Sequence, residues 1–147
     1  MLRSIYSALI LTAVLSITFA YVFKSAIISG RAHVIDGDTV VVGTTHVRLK
    51  GVDAAELKSE RGEAAKSAMI NIVGNSELAC DLTGELSWGR QVGTCTTSTG
   101  VDIQQAIIER GYALACPRYF ARYLRYEQEM AIAAQKRAKY CLTGGRP

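Results

Sequence analysis

The sequence predicts an α+β domain, because strand patterns and a helical pattern occur in the same stretch of chain. Two valine-rich runs flank Gly43-Thr44, a pair that favours a two-residue β-hairpin loop. Short apolar patterns at residues 78–81 and 91–96 predict two further strands. Residues 61–73 carry apolar side chains at helical spacing, which predicts a helix. Once an N-terminal segment is set aside, the remaining chain has the length of one domain with a single core.

The beginning of the chain has the pattern of an export segment. Residues 4–23 are uncharged and mostly apolar, with Arg3 before them and Lys24 after them. About 20 apolar residues can span a bilayer as a helix, and a signal peptide begins in the same way. A small-x-small site ending at Ala20 would allow cleavage. We expect residues 1–28 to be a signal peptide or an N-terminal membrane anchor, which would place the domain in the periplasm, outside the cell or on the membrane.

The hairpin loop sets a register that brings an arginine beside an aspartate. With a two-residue loop, Val42 faces Thr45 and Thr39 faces Arg48. Arg48 then lies next to Asp38 across the strand pair. A shift of one residue would still leave the guanidinium within reach of the carboxylate, because opposed residues lie roughly 5 Å apart.

Three carboxylates lie at the ends of the hairpin strands. Asp38 belongs to the string Asp36-Gly37-Asp38, whereas Asp53 and Glu56 follow the second strand. Hard oxygen donors suit calcium or magnesium, and calcium tolerates an irregular, partly hydrated site better. A solvated turn has the same composition, since aspartate and glycine are ordinary turn residues.

Two more helices are predicted after the strands. Asp102 with Gln105 resembles an N-terminal cap for a helix over residues 103–110, and Gly111 would end that helix. A third helix is predicted over residues 119–140, with a rough apolar stripe that would pack against the strands.

The formal net charge of +4 is unevenly distributed along the chain. Residues 110–147 contain eight lysines or arginines and two glutamates, so the rest of the chain is slightly acidic. Such a basic segment can attract polyanions such as nucleic acids, although a solvated helix face has the same composition.

Three strings of residues, taken in order, resemble the signature of the staphylococcal nuclease (thermonuclease) family. They are Asp36-Gly37-Asp38-Thr39, then Arg48-Leu49 with Val52-Asp53-Ala54-Ala55-Glu56, and finally Trp88-Gly89-Arg90. The resemblance covers roughly residues 32–140. It implies that residues 29–147 form a five-stranded OB-type β-barrel with about three helices.

The resemblance implies a calcium-dependent endonuclease. Such an enzyme hydrolyses phosphodiester bonds in DNA and RNA and leaves a 3′-phosphate and a 5′-hydroxyl. Asp38 and Asp53 would bind the calcium ion together with the backbone carbonyl of Ala54. The expected partners are single-stranded or frayed DNA and RNA.

The resemblance also implies three catalytic residues. Arg48 and Arg90 would contact the scissile phosphate, and a guanidinium suits this role because its planar fork makes two hydrogen bonds to one phosphate. Glu56 would hold or deprotonate the attacking water. We expect Asp38, Glu56 and Arg90 to lie at the solvent-exposed mouth of the barrel.

The chain departs from the family pattern at two places. Ala55 stands where the family commonly has proline, so the loop that carries Glu56 is less constrained. The third string has Trp88 where the family commonly has tyrosine, and its ring would either stack on a base or form a partly buried surface contact. Tyr119 lies near the position of the active-site tyrosines, so we take it as a second substrate-binding candidate.

Four cysteines suit an oxidising compartment. The family fold would place the predicted strands of Cys80 and Cys95 side by side, so these two residues could pair. Cys116 and Cys141 flank the predicted third helix and could tie it down. Spacing alone also allows other pairings or free buried thiols.

The same three sequence strings are compatible with two functions other than that of a nuclease that degrades nucleic acids for nutrients. OB barrels of this kind also occur as non-catalytic modules that bind nucleic acid, here at the cell surface. A surface protein whose cleavage activity serves DNA uptake would carry the same residues. We favour an enzyme over a binding module because the acids and both arginines of the implied set are present.

Overall fold

A closed five-stranded barrel forms the centre of the protein, whose computed structural model describes residues 26–142. The strands are β1 (Ala26–Val34), β2 (Thr39–Val42), β3 (Thr45–Leu49), β4 (Val52–Ala54), β5 (Glu77–Ser87), β6 (Arg90–Thr97) and β7 (Ala113–Ala115). Around the barrel the order is β1, β2, β3, β6, β5, with β3 and β6 parallel and the other pairs antiparallel. The predicted α+β class and five-stranded barrel are confirmed.

The β2–β3 hairpin has the predicted register. Val42 pairs with Thr45, and Thr39 pairs with Arg48. Gly43 adopts φ 61°, a left-handed conformation that a two-residue hairpin loop requires. The loop chemistry therefore sets which residues of β2 and β3 face each other.

A second, two-stranded sheet lies beside the barrel. In it β4 and β7 pair antiparallel, with Asp53 opposite Leu114 and Val52 opposite Ala115. The backbone N–H of Cys116 also donates to the Gly51 carbonyl at 2.8 Å. This pairing brings the chain after β7 close to Asp53.

The first two predicted helices are confirmed. Helix α1 (Glu60–Val73) begins after Ser59, whose side chain accepts from the Gly62 N–H, and ends at Gly74 with φ 55°. Helix α2 (Ile103–Glu109) is capped by Asp102, whose carboxylate accepts from two backbone N–H groups at 3.0 Å. Both helices pack on the core of the barrel, which includes Val40, Val47, Leu49, Met69 and Ile107.

The predicted continuous helix over residues 119–140 is wrong. Its place is taken by α3 (Pro117–Phe120), a 3₁₀ helix (Ala121–Tyr126), α4 (Glu129–Ala134) and α5 (Lys139–Leu142). After α4 the backbone of Gln135 is extended, with φ −134° and ψ 130°. The Ala138 N–H donates to the Asp53 carboxylate at 2.7 Å, so a long-range hydrogen bond replaces a helical one. The prediction that an apolar stripe of this helix packs against the strands is also wrong at Met130, which is 71% exposed.

Two disulfides join the four cysteines. Cys80 is bonded to Cys95 across β5 and β6, and Cys116 is bonded to Cys141. Disulfides are typical of proteins in oxidising compartments outside the cytoplasm. The predicted apolar segment at residues 4–23 lies outside the described residues. Within residues 26–142, no helix is both long and apolar enough to cross a membrane.

Loss of the disulfides is expected to lower the melting temperature strongly. The bonds close loops with sequence separations of 15 and 25 residues, and each can stabilise the fold by about 3 kcal/mol by restricting the unfolded chain. Thermal unfolding with and without a dithiol reductant should therefore differ by more than about 10 °C. Equal melting temperatures, or four free thiols in the non-reduced protein by mass spectrometry, would contradict the pairing.

Candidate active site

A polar cavity of about 170 Å³ lies where the β1–β2 loop, the segment after β4 and the β5–β6 turn meet. Six residues singled out from the sequence line it, namely Asp38, Arg48, Ala54, Glu56, Trp88 and Arg90. The fold thus brings three separate strings of sequence to one place. This cavity is the candidate active site.

Asp38 and Arg48 form an ion pair at the cavity wall. Arg48 Nη2 lies 3.0 Å from Asp38 Oδ2, and the two side chains are 9% and 14% exposed. The pKa of Asp38 is raised to about 6, mainly because the carboxyl is buried; Arg48 opposes this rise, and the charge of Asp36 adds to it. The negative charge of Asp38 is therefore incompletely offset, and a further cation beside it would be stabilised.

The Arg48 guanidinium is held in one orientation by the protein. Nη1 donates to the Leu49 carbonyl at 3.1 Å, and Nη2 donates to the Val52 carbonyl at 3.0 Å. Nη2 also lies 3.5 Å from the Tyr140 hydroxyl, which accepts from it. A fixed guanidinium loses little side-chain entropy when it binds an anion.

Arg90 is held on the opposite side by the β5–β6 turn and by β2. Its Nε donates to the Ser87 carbonyl at 3.1 Å, and its Nη1 donates to Thr39 Oγ1 at 3.1 Å. The Thr39 hydroxyl donates in turn to Asp38 Oδ1 at 3.1 Å. One hydrogen-bonded network therefore connects Arg90 to Arg48 through Thr39 and Asp38.

Trp88 occupies an uncommon backbone conformation. It has φ 52° and is followed by Gly89 with φ 79°, and Ser87 pairs with Arg90 across this two-residue turn. Two successive positive φ values define the turn type that favours asparagine and glycine, so tryptophan is strained there. The Trp88 side chain is 81% exposed and stands at the cavity edge.

Glu56 lies in the loop that leads into α1. Its carbonyl accepts from the Ser59 hydroxyl at 2.7 Å and from the Ser59 N–H at 3.0 Å. A Cβ at Gly62 would overlap the Glu56 carbonyl, so the glycine allows the loop to pack on the helix. The backbone of Glu56 is therefore held although the family's proline is absent.

The expectation that Asp38, Glu56 and Arg90 are all exposed is only partly right. Glu56 is exposed, whereas Asp38 and Arg90 are half-buried. The hydrogen bonds of Arg90 to Ser87 and Thr39, and the ion pair of Asp38, draw these two side chains against the barrel.

Asp53 lies behind the cavity and, among the described residues, is not part of its wall. It is 4% exposed, and its Oδ2 accepts from the Ala138 N–H at 2.7 Å. Burial raises the pKa of Asp53, and the Ala138 hydrogen bond opposes that rise. Its neighbour Ala54 faces the cavity and donates its N–H to Asp38 Oδ2 at 3.4 Å.

A second cavity of about 280 Å³ adjoins the first and shares Arg48 and Tyr140 with it. Its wall also includes Tyr119, and the Arg118 guanidinium lies 5.4 Å from the centre of the Tyr119 ring. The candidate substrate-binding residues Trp88 and Tyr119 therefore border two neighbouring cavities rather than one.

Comparison with known proteins agrees with the resemblance of the three strings. A model of the staphylococcal nuclease homologue family matches residues 46–141 of this chain. The chain belongs to the staphylococcal nuclease family. The matched region begins in β3 and ends at Cys141, so it includes most of the residues that line the polar cavity.

The chain is similar to proteins whose names indicate different functions. A succinoglycan biosynthesis protein, ExoI of Rhizobium meliloti, is 35% identical over 98 residues, which cover 59% of this chain and 51% of ExoI. Two probable staphylococcal-like nucleases of rice, CAN2 and CAN1, are 26% and 29% identical over 65% and 66% of this chain. The chain spans about half of ExoI and about a quarter of the rice proteins.

The staphylococcal nuclease family typically uses calcium, and the donors at this cavity fit such an ion. Asp38 and Glu56, which line the cavity, offer carboxylate oxygens. Calcium accepts carboxylates, carbonyls and waters in irregular geometry. In the part of the chain that the structure describes, no three His, Cys, Asp or Glu side chains form a ready-made metal cluster. Water and backbone oxygens would complete the coordination.

Two residues of the cavity network were assigned no role from the sequence. Thr39 bridges Asp38 and Arg90, and its place opposite Arg48 in the hairpin was the available signal. Tyr140 reaches Arg48 from the far end of the chain. The sequence contained only an indirect indication of this contact. Tyr140 directly precedes Cys141, and the disulfide from Cys141 to Cys116 brings Tyr140 to the site.

Proposed function

We propose that the protein is a calcium-dependent phosphodiesterase that cleaves single-stranded or frayed DNA and RNA internally. One observation carries the proposal, namely that a single cavity gathers Asp38 and Glu56 with the two arginines Arg48 and Arg90. A phosphodiester repels its nucleophile, so cationic groups fixed around the phosphorus are what its hydrolysis needs.

Arg48 and Arg90 would bind the scissile phosphate from two sides. Both guanidiniums are oriented by hydrogen bonds to the protein and need no large rearrangement. They would stabilise the charge that develops on the non-bridging oxygens in the transition state. A bound calcium ion would add positive charge at the same oxygens.

Glu56 would orient the attacking water and accept its proton. It is the exposed carboxylate of the cavity wall, so it can reach solvent without breaking an ion pair. The water oxygen forms a bond to phosphorus, and the bond from phosphorus to the 5′-oxygen breaks. The leaving oxygen takes up a proton, and the products carry a 3′-phosphate and a 5′-hydroxyl.

Trp88 would stack on a base beside the scissile phosphate, and Tyr119 would contact a neighbouring nucleotide in the second cavity. The strained backbone of Trp88 supports a binding role, because strain is retained where a side chain is needed. Stacking on an exposed ring is tolerant of base identity, which agrees with a broad substrate range.

Replacing Trp88 by asparagine should stabilise the fold and weaken substrate binding. Asparagine accepts positive φ, so the melting transition should rise by the equivalent of about 1 kcal/mol. Loss of one stacked base should weaken binding of a single-stranded oligonucleotide by about tenfold or more, as measured by fluorescence anisotropy in chelator. The control is Trp88→Tyr, which keeps both the ring and the strain. Unchanged affinity in Trp88→Asn would remove the stacking role.

The nuclease would act outside the cytoplasm. We infer that residues 29–147 belong to the nuclease domain, whose first strand already begins at Ala26. The segment before this strand would direct export, as a cleaved peptide or an anchor through residues 4–23. The two disulfides support an oxidising location. A nuclease placed there is separated from the nucleic acids of its own cell.

Cleavage should require calcium. Incubation of the purified protein with a single-stranded oligonucleotide should give fragments in calcium, and almost none in excess chelator or with magnesium alone. Magnesium demands near-octahedral geometry, which a site with few protein oxygens meets poorly. Full activity in chelator would contradict the role of the metal.

A non-catalytic module that binds nucleic acid is the second candidate. The ion pair between Asp38 and Arg48 favours it, because the pair occupies part of the guanidinium that would bind phosphate and part of the carboxylate that would bind metal. Similarity to ExoI, a protein named for succinoglycan biosynthesis, also leaves room for a function other than cleavage. Salt-dependent binding of single strands without fragments in calcium would establish this alternative.

A further inference from the structure

The segment of residues 135–140, here called the C-terminal segment, lies across β4 at the back of the candidate site. Its Gln135 side chain donates to the Asp53 carbonyl at 2.8 Å, and the Ala138 N–H donates to Asp53 Oδ2 at 2.7 Å. Both bonds join residues more than eighty positions apart in the sequence. The C-terminal segment is therefore seated on Asp53 itself.

Tyr140 at the end of this segment reaches the arginine of the site. Its hydroxyl accepts from Arg48 Nη2 at 3.5 Å, and its side chain lines both cavities. Burial raises the pKa of the Tyr140 hydroxyl, so the phenol keeps its proton at neutral pH. The hydroxyl can thus accept from Arg48 while it offers its own hydrogen to an oxygen in the cavity.

Two further connections hold the C-terminal segment in place. Arg137 Nε donates to the Ala115 carbonyl at 2.9 Å, and Arg137 forms an ion pair with Glu127, which also accepts from the Ala115 N–H. Next to Tyr140, Cys141 is bonded to Cys116, the residue that follows β7. The segment is therefore fixed to the same strand that pairs with β4.

We propose that Tyr140 is a positioning residue for Arg48 and that the Cys116–Cys141 disulfide holds Tyr140 at the site. The inference rests on the proposed function insofar as Arg48 binds phosphate. Within the described chain, Nη2 has two other partners. They are the Val52 carbonyl on β4 and the carboxylate of Asp38, which directly precedes barrel strand β2. Tyr140, which comes from the far end of the chain and lines the cavity, adds a further contact to Nη2 and so restricts its rotation.

The first test removes the hydroxyl and keeps the ring. Tyr140→Phe should weaken binding of an uncleaved single-stranded oligonucleotide in chelator by about fivefold, the effect of one hydrogen bond. Its melting temperature should stay within about 2 °C of wild type. Tyr126→Phe is the matched control, because Tyr126 lies on the 3₁₀ helix and, among the described residues, lines neither of the two site cavities. Affinity within twofold of wild type for Tyr140→Phe would overturn the proposal.

The second test asks whether the disulfide acts through Tyr140. Cys116→Ser with Cys141→Ser should weaken oligonucleotide binding as much as Tyr140→Phe, and the combined triple variant should bind no worse than the double variant. The matched control, Cys80→Ser with Cys95→Ser, removes a disulfide within the barrel and should keep wild-type affinity at a temperature where all variants are folded. Additive losses, or equal losses in both disulfide variants, would overturn the proposal.

The binding measurements test the role of Tyr140 independently of whether the protein is a nuclease. They are made in chelator, so they remain informative even if the protein does not cut DNA in calcium. Absence of cleavage with the fivefold effect present would contradict the nuclease assignment and support the role of Tyr140. If the protein cleaves DNA and Tyr140→Phe leaves affinity unchanged, the nuclease assignment is supported and the role of Tyr140 is contradicted.

Discussion

Arg90→Ala is expected to lower the turnover number for single-stranded DNA by about 100-fold or more. In the proposed mechanism this side chain stabilises charge that develops on the phosphate in the transition state, and such stabilisation is worth more than binding of the ground state. The Michaelis constant should change far less. Initial rates of cleavage of a labelled oligonucleotide, measured in calcium over a range of substrate concentrations, give both quantities.

Arg125→Ala is the control for this variant. Arg125 is exposed, and its guanidinium lies 5.0 Å from the centre of the Tyr126 ring, away from the residues that line the cavity. Its loss should leave turnover within about twofold of wild type. Equal activity of Arg90→Ala and wild type would place the active site elsewhere on the protein.

Glu56→Gln is expected to reduce turnover by a similar factor of about 100 or more. The amide keeps the shape of the side chain but cannot accept a proton from water. Glu56 is exposed, so the substitution should leave the melting temperature unchanged. The control is Glu63→Gln on α1, another exposed glutamate. A Glu56→Gln enzyme with full activity would mean that this residue neither orients nor deprotonates the water.

Asp38 is a less informative position for substitution than Arg90 or Glu56. Its carboxylate is paired with Arg48, which is 8% exposed. Removing one partner of a buried pair can cost roughly 3–5 kcal/mol because the other charge stays buried. Asp38→Ala would therefore lose activity through a destabilised site as well as through loss of the proposed calcium ligand.

The hairpin part of the site could be predicted from the sequence because its geometry is local. A two-residue loop at Gly43 fixes the pairing of β2 with β3, and this pairing places Arg48 opposite Thr39 and next to Asp38. No contact from a distant part of the chain is needed. Local patterns also located the first two helices, α1 from its apolar spacing and α2 from its cap at Asp102.

The C-terminal part could not be predicted because its structure depends on long-range contacts. Residues 119–140 have a helical pattern, but the backbone is extended at Glu127 and Gln128 and again at Gln135. At the second break, hydrogen bonds from Gln135 and Ala138 to Asp53 replace helical ones. The approach of Tyr140 to Arg48 follows from this interruption and from the Cys116–Cys141 disulfide. Four cysteines allow three connectivities, so spacing alone could not show this arrangement.

The identity of the cleavage products tests the central claim most directly. A defined single-stranded oligonucleotide should be incubated with the purified protein in calcium, and the fragments analysed by mass spectrometry. We predict internal cuts whose fragments carry a 3′-phosphate and a 5′-hydroxyl, in amounts that Arg90→Ala reduces strongly. An intact oligonucleotide, or fragments with a 5′-phosphate and a 3′-hydroxyl, would contradict the account.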